Sequence, residues 1–312
     1  MINSISIIIV NWNSGLLLRE CMSSILDQAA LGDFAPEIIV VDNASIDGSA
    51  TDLPGASCTI ILANTVNKGF GAACNQGAAV ASGEYFLFLN PDCRVAPGSI
   101  EKARRALLDD PGLGVSGVAL HDDSGTITRS CHCFPQLHHL FGLATGLAKL
   151  FPTIYDSALS QWPHDNDRDV DHVIGAFYMI RPKLFRDLEG FDERFFVYLE
   201  DLDLSLRVAQ AGYRTRFIAQ PSSYHKGGGT SEKARTMRIV YAAQSRILYA
   251  FKHFGGAGAW VHFITTILAE PFFRIAFLAA RGRGSEFGEV IRAFAVLLKT
   301  ALTTLRRARS ST

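Results

Sequence analysis

The sequence predicts an α/β protein built on a mostly parallel, Rossmann-like sheet flanked by helices. Two observations predict this fold class: short apolar, β-branched segments alternate with segments of helical spacing, and a polar loop follows each apolar segment. Continuous apolar runs are typical of strands that are buried on both faces of a parallel sheet. The carboxyl ends of such strands lie along one edge, where ligands bind.

The elements can be placed from these patterns in chain order. Strands are predicted at 5–10, 37–41, 59–63 and 85–89, and helices at 16–26 and 71–82. Strand character resumes at 173–180, and helical spacing dominates after residue 231. The segment 121–171 mixes aromatic, His and Pro residues, so we expect a loop-rich insertion there.

Charge is distributed unevenly along the 312 residues, although the formal net charge is zero. Residues 233–312 carry 13 Lys/Arg against 3 Asp/Glu, a net charge of +10, and residues 1–232 carry 17 against 27, a net charge of −10. An acidic first part suits a site that holds cations, and a basic tail suits an anionic partner. The chain opens directly into an apolar strand, a pattern unlike a signal peptide, so we expect a cytoplasmic protein with reduced cysteines.

Three polar segments follow predicted strands and carry candidate ligand-binding residues. Asn90-Pro91-Asp92 places a carboxylate at a strand end, where it can hold Mg²⁺ or Mn²⁺; the alternative is a simple turn. Asp42 also leaves a strand end and can accept a hydrogen bond from a base or ribose, whereas Ser45, Asp47 and Ser49 are expected to cap and turn the chain. The loop from Asn67 to Gly77 opens a helix with small residues, which lets the backbone approach an anion closely.

Carboxylates and aromatic side chains are concentrated in the segment 191–207. Glu200 and Asp201 lie next to Phe195, Phe196 and Tyr198, and a carboxylate in such surroundings can act as a general base for a hydroxyl group. The alternative is that Asp201 is a helix N-cap. An Asp203–Arg207 pair at i,i+4 is expected to be structural.

Seven motifs resemble those of family 2 glycosyltransferases, in the same order, over roughly residues 4–230. They are VNWN, VDNASIDGS, NKGFGAACNQG, NPD, GAFYMIRP, GFDERFFVYLEDLDLSLR and a late His225. The sequence is most similar to the bacterial rhamnosyltransferase-like branch of that family. The resemblance implies a GT-A fold and a reaction that inverts the anomeric configuration.

The resemblance also implies roles for individual residues. Val10, Asn11 and Trp12 match the loop under the nucleobase, Asp42 the base-binding aspartate, and Asn67 with Gly69 the loop beside the nucleotide. Asp92 matches the last acid of the metal motif, and His225 a further metal ligand of some relatives. Asn90 stands where many members carry the first acid of that motif, which implies modest metal affinity. Asp201, in the pair with Glu200, matches the catalytic base.

From this resemblance we expect a GT-A catalytic domain at 1–232, with a nucleotide-sugar half to about residue 120 and an acceptor half at 121–232. The expected substrates are a nucleoside diphosphate sugar, with dTDP-L-rhamnose as the donor, and a saccharide acceptor that is lipid-linked. Within 126–175, Arg129, Phe134, Trp162 and His172 are a candidate acceptor wall. The alternatives are another sugar donor, or a scaffold that binds nucleotide sugar without turnover. A nucleotidyltransferase is disfavoured because 11–15 offers no basic residue for a triphosphate.

The tail at 233–312 contains two apolar segments. Residues 257–280 are strongly apolar, but Glu270, Pro271 and Arg274 argue against a simple membrane span. Residues 287–305 have apolar side chains at helical spacing with basic residues nearby, as in helices that lie on an anionic bilayer. We therefore expect peripheral association with the inner face of the cell membrane. Packing on the catalytic domain, or a homodimer, is the alternative, and the apolar stripe argues against nucleic acid.

Overall fold

Strands and helices alternate through the first part of the chain in the computed structural model, which describes residues 4–31, 34–159, 162–227 and 235–310. The strands are β1 Ser4–Asn11, β2 Ala35–Asp42, β3 Thr59–Ala63, β4 Tyr85–Leu89, β5 Cys93–Arg94, β6 Leu113–His121, β7 Cys131–His132, β8 Arg168–Val170, β9 His172–Val173, β10 Phe177–Ile180 and β11 Arg214–His225. The helices are α1 Leu17–Ala29, α2 Phe70–Val80, α3 Ser99–Asp109, α4 Leu137–Thr145, α5 Leu147–Leu150, α6 Pro152–Tyr155, α7 Pro182–Asp187, α8 Glu200–Gln210, α9 Arg235–His253, α10 Gly256–Ile264, α11 Glu270–Ala280 and α12 Phe287–Arg309.

Nine strands form one mixed sheet. Its order is β3-β2-β1-β4-β10-β6-β11-β5, with β8 paired to β11. The first four strands in this order are parallel, and β10 runs antiparallel to both of its neighbours. This is the mostly parallel sheet that the sequence predicts, and the predicted strands at 59–63 and 85–89 are confirmed residue for residue.

The single strand predicted at 173–180 is wrong, because the structure divides it into β9 and β10. Between them, the Ile174 N–H donates to the carbonyl oxygen of Ser130, and the Gly175 N–H donates to the carboxylate of Asp201. The N–H groups of Ile174 and Gly175 therefore do not pair with a neighbouring strand of the main sheet. At Gly175 the carboxylate of Asp201 takes the place of a backbone carbonyl.

The segment 121–171 has more regular structure than the expected loop, since it contains α4, α5 and α6. Close packing explains this order. A Cβ atom on Gly142 would lie 2.4 Å from Cβ of Tyr155, so α4 and α6 meet at a glycine. A Cβ atom on Gly258 would lie 2.4 Å from Leu137 Cδ1, so α4 also packs directly against α10.

Helix α2 lies close against the sheet because its inner face carries only small residues. A Cβ atom on Gly77 would lie 2.6 Å from Ile8 of β1 and 3.3 Å from Val41 of β2. The close approach keeps the start of α2 beside the carboxyl ends of these two strands. On the sheet's other face, α1 and α3 bury Leu18, Ile25 and Leu107 against the central strands.

The chain divides into two compact units. The first comprises 1–133, 162–193 and 201–230, and the second comprises 134–161, 194–200 and 231–312. The expected division at residue 232 lies outside the described residues and stays a prediction, and 134–161 and 194–200 group with the C-terminal helices. Within the second unit, Val290, Phe294 and Leu297 of α12 are buried with Ala243 and Ile247 of α9. This part of the tail's apolar stripe is therefore covered by protein.

Candidate active site

The carboxyl ends of β2, β1 and β4 bring three of the predicted site residues to one edge of the sheet. Asn11 is in register with Asp42, and Ile9 is in register with Leu89, directly before Asn90. Strand β10 runs antiparallel to β4, so its amino end reaches the same edge. The polar residues at the carboxyl ends of β1, β2 and β4 and the residues that precede β10 are thus neighbours in the first unit.

Asn11 organises the loop that follows β2. Its side chain is fully buried, and its Nδ2, with two N–H groups, lies within hydrogen-bond distance of three oxygen atoms: Asp42 Oδ1 at 2.9 Å, Ser49 Oγ at 2.9 Å and Ser45 Oγ at 3.1 Å. The amide therefore fixes the direction of the Asp42 carboxylate, which is itself only partly buried. Beside it, Val10 is buried and Trp12 is partly exposed. The expected turn-forming role of Asp47 agrees with the hydrogen bonds that it accepts from Gly15 N–H and Ser49.

Asn43 holds the loop that leads into α2. Its Nδ2 donates to Asn67 Oδ1 at 2.9 Å and to the Gly69 carbonyl at 3.1 Å, and its Oδ1 accepts the Lys68 N–H at 3.0 Å. Gly69 has φ +91°, a backbone conformation that favours glycine, and α2 begins at the next residue. The sequence reasoning missed Asn43, although its position directly after Asp42 at a strand end was an available signal.

Asp92 and His225 form a pair across the β5–β11 ladder. The Asp92 Oδ1 atom lies 3.3 Å from His225 Nε2, and Asn90 Nδ2 lies 3.5 Å from the same nitrogen. The register of His225 with Cys93, next to Asp92, sets this approach, and the Lys226 N–H donates to the Asp92 carbonyl. Asp92 and His225, which are more than 130 positions apart in sequence, thus bring a carboxylate and an imidazole next to each other.

The donor set of this pair fits a divalent cation. Two ligand atoms about 2.1–2.2 Å from one ion lie about 3 Å apart at neighbouring positions, close to the observed separation. Carboxylate with imidazole suits Mn²⁺ better than Mg²⁺, which prefers oxygen ligands. The Cys93 thiol lies within 4.8 Å of both groups, but it donates to the Ala176 carbonyl, and burial raises the pKa of Cys93 well above its usual range. Hard cations such as Mg²⁺ and Mn²⁺ prefer carboxylate and imidazole to a soft thiol ligand, which leaves Asp92 and His225 as the principal pair.

Asp201 is held in place by backbone donors at the start of α8. Its Oδ2 accepts the Gly175 N–H at 2.6 Å, and its Oδ1 accepts the Leu202 N–H at 2.8 Å. Glycine at 175 permits this approach, because a Cβ atom there would lie 3.2 Å from Oδ2. The Asp201 side chain is 17% exposed, so the carboxylate is oriented but still accessible.

A buried polar network lies behind Asp201. His172 Nε2 is 3.7 Å from Asp201 Oδ2, and His172 Nδ1 is 3.0 Å from Ser205 Oγ, which in turn meets the Tyr178 hydroxyl at 3.1 Å. Burial lowers the pKa of His172 to about 4, so the imidazole is neutral at pH 7. His172 was expected in an acceptor wall; its burial instead makes it a support for the carboxylate.

The other members of the expected sites are distributed as follows. Asp203 pairs with Arg207 at 2.9 Å, which confirms the predicted structural i,i+4 pair. Glu200 is buried and groups with the second unit, and its catalytic role stays a prediction. Of the expected acceptor wall, Trp162 stacks on His164, and Phe134 groups with the second unit.

The Asp92–His225 pair and the carboxylate of Asp201 are joined through consecutive residues of one strand connection, Gly175 and Ala176. The Asn90 N–H donates to the Ala176 carbonyl at 3.0 Å, and the preceding residue, Gly175, holds Asp201. The first unit therefore places an oriented carboxylate, a carboxylate–imidazole pair and a glycine-opened helix along a single sheet edge.

Comparison with solved structures identifies the architecture as GT-A. The chain is similar to a mannosyltransferase from Pyrobaculum calidifontis, PcManGT, solved in complex with GDP-Man and Mn²⁺, with a TM-score of 0.55 and 17% identity over 94% of this chain and 86% of that one. It is also similar to residues 1–349 of TarS from S. aureus, with a TM-score of 0.51 and 15% identity over 96% and 91% of the two chains. At these levels of identity the two structures show the fold that they share with this chain, the GT-A architecture.

The chain belongs to glycosyl transferase family 2, whose model matches residues 6–186. It is 26% identical, over 82% of its length and 87% of the relative, to the N-acetylglucosaminyl-diphospho-decaprenol L-rhamnosyltransferase of Mycobacterium tuberculosis. It is 37% identical to the rhamnosyltransferase WbbL of Escherichia coli over 46% of this chain and 53% of the relative. The expected rhamnosyltransferase-like branch is thereby confirmed.

Proposed function

We propose that this glycosyltransferase moves L-rhamnose from dTDP-rhamnose to a hydroxyl group of a lipid-linked saccharide, with inversion at the anomeric carbon. The observation that carries the reaction is the joining of Asp92–His225 and Asp201 through Asn90, Ala176 and Gly175. The sugar and the acceptor class are supported by the names of the two rhamnosyltransferase relatives, one of which acts on a diphospho-decaprenol-linked sugar.

The donor nucleotide is assigned to the edge formed by β1, β2 and the start of α2. The Asp42 carboxylate, fixed by Asn11, would accept hydrogen bonds from the base or ribose, and Asn67 with Gly69 would border the nucleotide. The backbone N–H groups that open α2 favour the negative charge of a diphosphate. Val10 and Trp12 would lie under the base, in the roles that their motif implies.

Asp92 and His225 would hold Mg²⁺ or Mn²⁺, with Mn²⁺ preferred by the imidazole, and Asn90 would lie beside the ion. When bound, the cation would neutralise the negative charge that accumulates on the leaving diphosphate. The residues of the protein contribute a fixed carboxylate–imidazole pair, so that no ligand has to reorient as the bond breaks.

Asp201 would act as the general base for the acceptor hydroxyl. The acceptor oxygen forms a bond to the anomeric carbon as the bond from that carbon to the donor diphosphate breaks, and the diphosphate leaves with the electron pair. The hydroxyl proton passes to the Asp201 carboxylate, which the Gly175 and Leu202 N–H groups keep oriented. The neutral His172 supports this carboxylate without a competing ion pair. Glu200 completes the expected acid pair.

We further propose that the protein works at the inner face of the cell membrane, as a peripheral protein on an anionic surface. A lipid-linked acceptor has its saccharide at the bilayer, so the enzyme has to work there. The net charge of +10 on residues 233–312 supports attraction to anionic lipid.

A donor panel tests the proposed function. Release of nucleoside diphosphate is measured with Mn²⁺ and each of several nucleotide sugars, with and without a polyprenyl-diphosphate saccharide acceptor. We expect release only with dTDP-rhamnose and acceptor together. Donor binding without acceptor-dependent release would instead indicate a binding scaffold, and release with a different sugar would reassign the donor.

A further inference from the structure

Much of the apolar stripe of α12 is covered by protein, because Val290, Phe294 and Leu297 pack inside the second unit, whereas Ile291, Leu298 and Leu302 of the same helix are exposed. Helices α10 and α11 show the opposite arrangement. With the π-helical turn Thr265–Ala269 between them, they form a continuous stretch at Gly256–Ala280 that contains an 18-residue window with a mean hydropathy of 1.6 and is, by length and composition alone, long and apolar enough to cross a bilayer. Most of this stretch is not covered by other described residues.

In this stretch the exposed residues are apolar and most of the polar residues are buried. Every exposed residue between 256 and 280 is glycine, alanine or a large apolar residue, whereas His262, Thr266 and Glu270 are buried. A helix on the surface of a water-soluble protein shows the reverse pattern, with its polar face in solvent. Polar residues turned inward and apolar residues turned outward are typical of helices in contact with lipid.

A buried ion cluster fixes the inward face. The carboxylate of Glu270 is fully buried, and it accepts hydrogen bonds from Arg246 of α9 at 2.6 and 2.8 Å and pairs with Arg274 at 2.7 Å. Because breaking such a pair leaves an uncompensated buried charge, the cluster prevents α11 from rolling its apolar face inward. The outward direction of that face is therefore built into the packing of the second unit.

The outward face carries an apolar row, defined here as Val261, Ile264, Leu268 and Phe272. Leu268 is 59% exposed and Phe272 is 74% exposed. Helices α5 and α6 of the same unit add further large apolar side chains, with Leu150 70% exposed. A single exposed apolar residue would need no explanation, but a row of them along one continuous stretch marks an interaction surface.

Two cations adjoin this surface at the ring of Phe277. Lys149 Nζ lies 3.6 Å from the ring centroid, and the Arg281 guanidinium lies 4.3 Å from it. Neither forms an ion pair with another residue in the parts of the chain that the structure describes. Lys149 and Arg281 thus approach the same ring, and burial, followed by the charges of Arg274, Arg281 and Arg283, lowers the pKa of Lys149. Such a cluster is complementary to phosphate headgroups.

We propose that the apolar row lies in the acyl region of one leaflet of an anionic bilayer, with Lys149 and Arg281 at the level of the lipid phosphates. This inference rests on the membrane location in the proposed function and identifies the surface that provides it. The stretch lies in the plane of the membrane and does not span it. A span would carry the adjoining α12, with its exposed Arg292 and Lys299, into hydrocarbon.

Vesicle flotation of the full chain tests the apolar row. We expect the protein to float with phosphatidylcholine vesicles that contain phosphatidylglycerol, and Phe272→Asp to weaken partitioning about tenfold or more, since burial of a phenylalanine side chain is worth at least that factor. Leu108→Asp is the matched control: Leu108 is 55% exposed on α3 of the first unit, and its replacement should leave flotation unchanged.

The cation cluster is tested with the double variant Lys149→Gln/Arg281→Gln. We expect binding to anionic vesicles to fall about fivefold per residue and to become less dependent on salt, while residual binding to neutral vesicles stays the same. Equal flotation of wild type and Phe272→Asp would overturn the proposal. So would a wild-type dimer in light scattering that does not float and that Phe272→Asp dissociates, because the row would then bind a second copy of the chain.

The membrane inference and the proposed reaction can fail separately. Flotation requires no substrate, so it can succeed in a protein that transfers no sugar. Conversely, Phe272→Asp should retain turnover with a detergent-solubilised acceptor and lose it with acceptor embedded in vesicles. Equal loss with both acceptors, in a variant that remains folded by its melting temperature, would contradict the assignment of Phe272 to the membrane alone.

Discussion

Replacing Asp201 by Asn removes the proposed base with the smallest change in shape. The carboxylate accepts two backbone hydrogen bonds, from Gly175 at 2.6 Å and from Leu202 at 2.8 Å. An asparagine side chain has one acceptor oxygen, so one of these N–H groups would face an amide NH₂. An unsatisfied donor costs about 1–3 kcal/mol, less than the 5–15 kcal/mol by which typical domains are stable. The variant should therefore fold.

Turnover should fall much more than the fraction of folded protein does. General-base catalysis contributes about 10²–10⁴-fold, equivalent to about 2.7–5.4 kcal/mol of the activation barrier. We expect kcat to fall by that factor while the affinity for the donor with Mn²⁺ changes little, because Asp201 acts on the acceptor. The assay is acceptor-dependent release of nucleoside diphosphate, normalised to folded protein by melting analysis.

Asp203→Asn is the matched control for this experiment. It removes one charge from the same helix, but Asp203 is buried against Arg207, so the loss should appear in stability while turnover per folded molecule is retained. If Asp201→Asn binds donor, stays folded and turns over within about threefold of wild type, general-base catalysis by Asp201 is refuted, since even its lower limit is about 10².

Three further predictions address the metal pair, the packing of α2 and the buried histidine. Asp92→Ala should weaken Mn²⁺-dependent donor binding about tenfold or more in calorimetry, since groups that only hydrogen-bond a metal ligand already contribute about 10–100-fold; equal affinities in wild type and variant with Mn²⁺ would contradict the metal role. Gly77→Ala should lower the free energy of unfolding by about 1–3 kcal/mol in denaturant titration, because its Cβ would lie 2.6 Å from Ile8; unchanged stability would mean that the sheet gives way freely. His172 has a pKa of about 4 when folded against 6.5 as its ordinary value, so its contribution to stability is complete above pH 6.5 and is lost as the pH falls toward 4, by about 3 kcal/mol in total. His172→Gln should flatten that part of the stability–pH curve, and an unaltered slope would show that the imidazole is not held neutral.

Residues at strand ends could be assigned from sequence because their position follows from local pattern alone. Asp42 and Asn90 each follow a buried apolar run, and parallel pairing brings such ends together whatever else the chain does. His172 and Gly175 could not be assigned in this way. Their approach to Asp201 depends on a strand that breaks between β9 and β10, and the break is stabilised by a side chain 26 positions away.

In the helical tail, too, the sequence predicts the elements but not their partners. Apolar spacing predicts a helix over 287–305 and indicates which face is apolar, but it does not identify what covers that face. In the structure protein covers the central residues of α12, whereas the face of α10–α11 points outward because Glu270 is paired inward with Arg246.

The sequence by itself determined the α/β class, the strand ends that carry Asp42, Asn90 and Asp92, and membership of the glycosyltransferase family, because these depend on local hydrophobic pattern and on ordered motifs. Tertiary structure alone decided the 3.3 Å approach of His225 to Asp92, the buried support of Asp201, and the outward direction of the apolar row. The physical reason is that burial and pairing are relations between distant segments. A residue's own neighbours in sequence set its conformation, and its partners in space set its solvent exposure, its pKa and its chemistry.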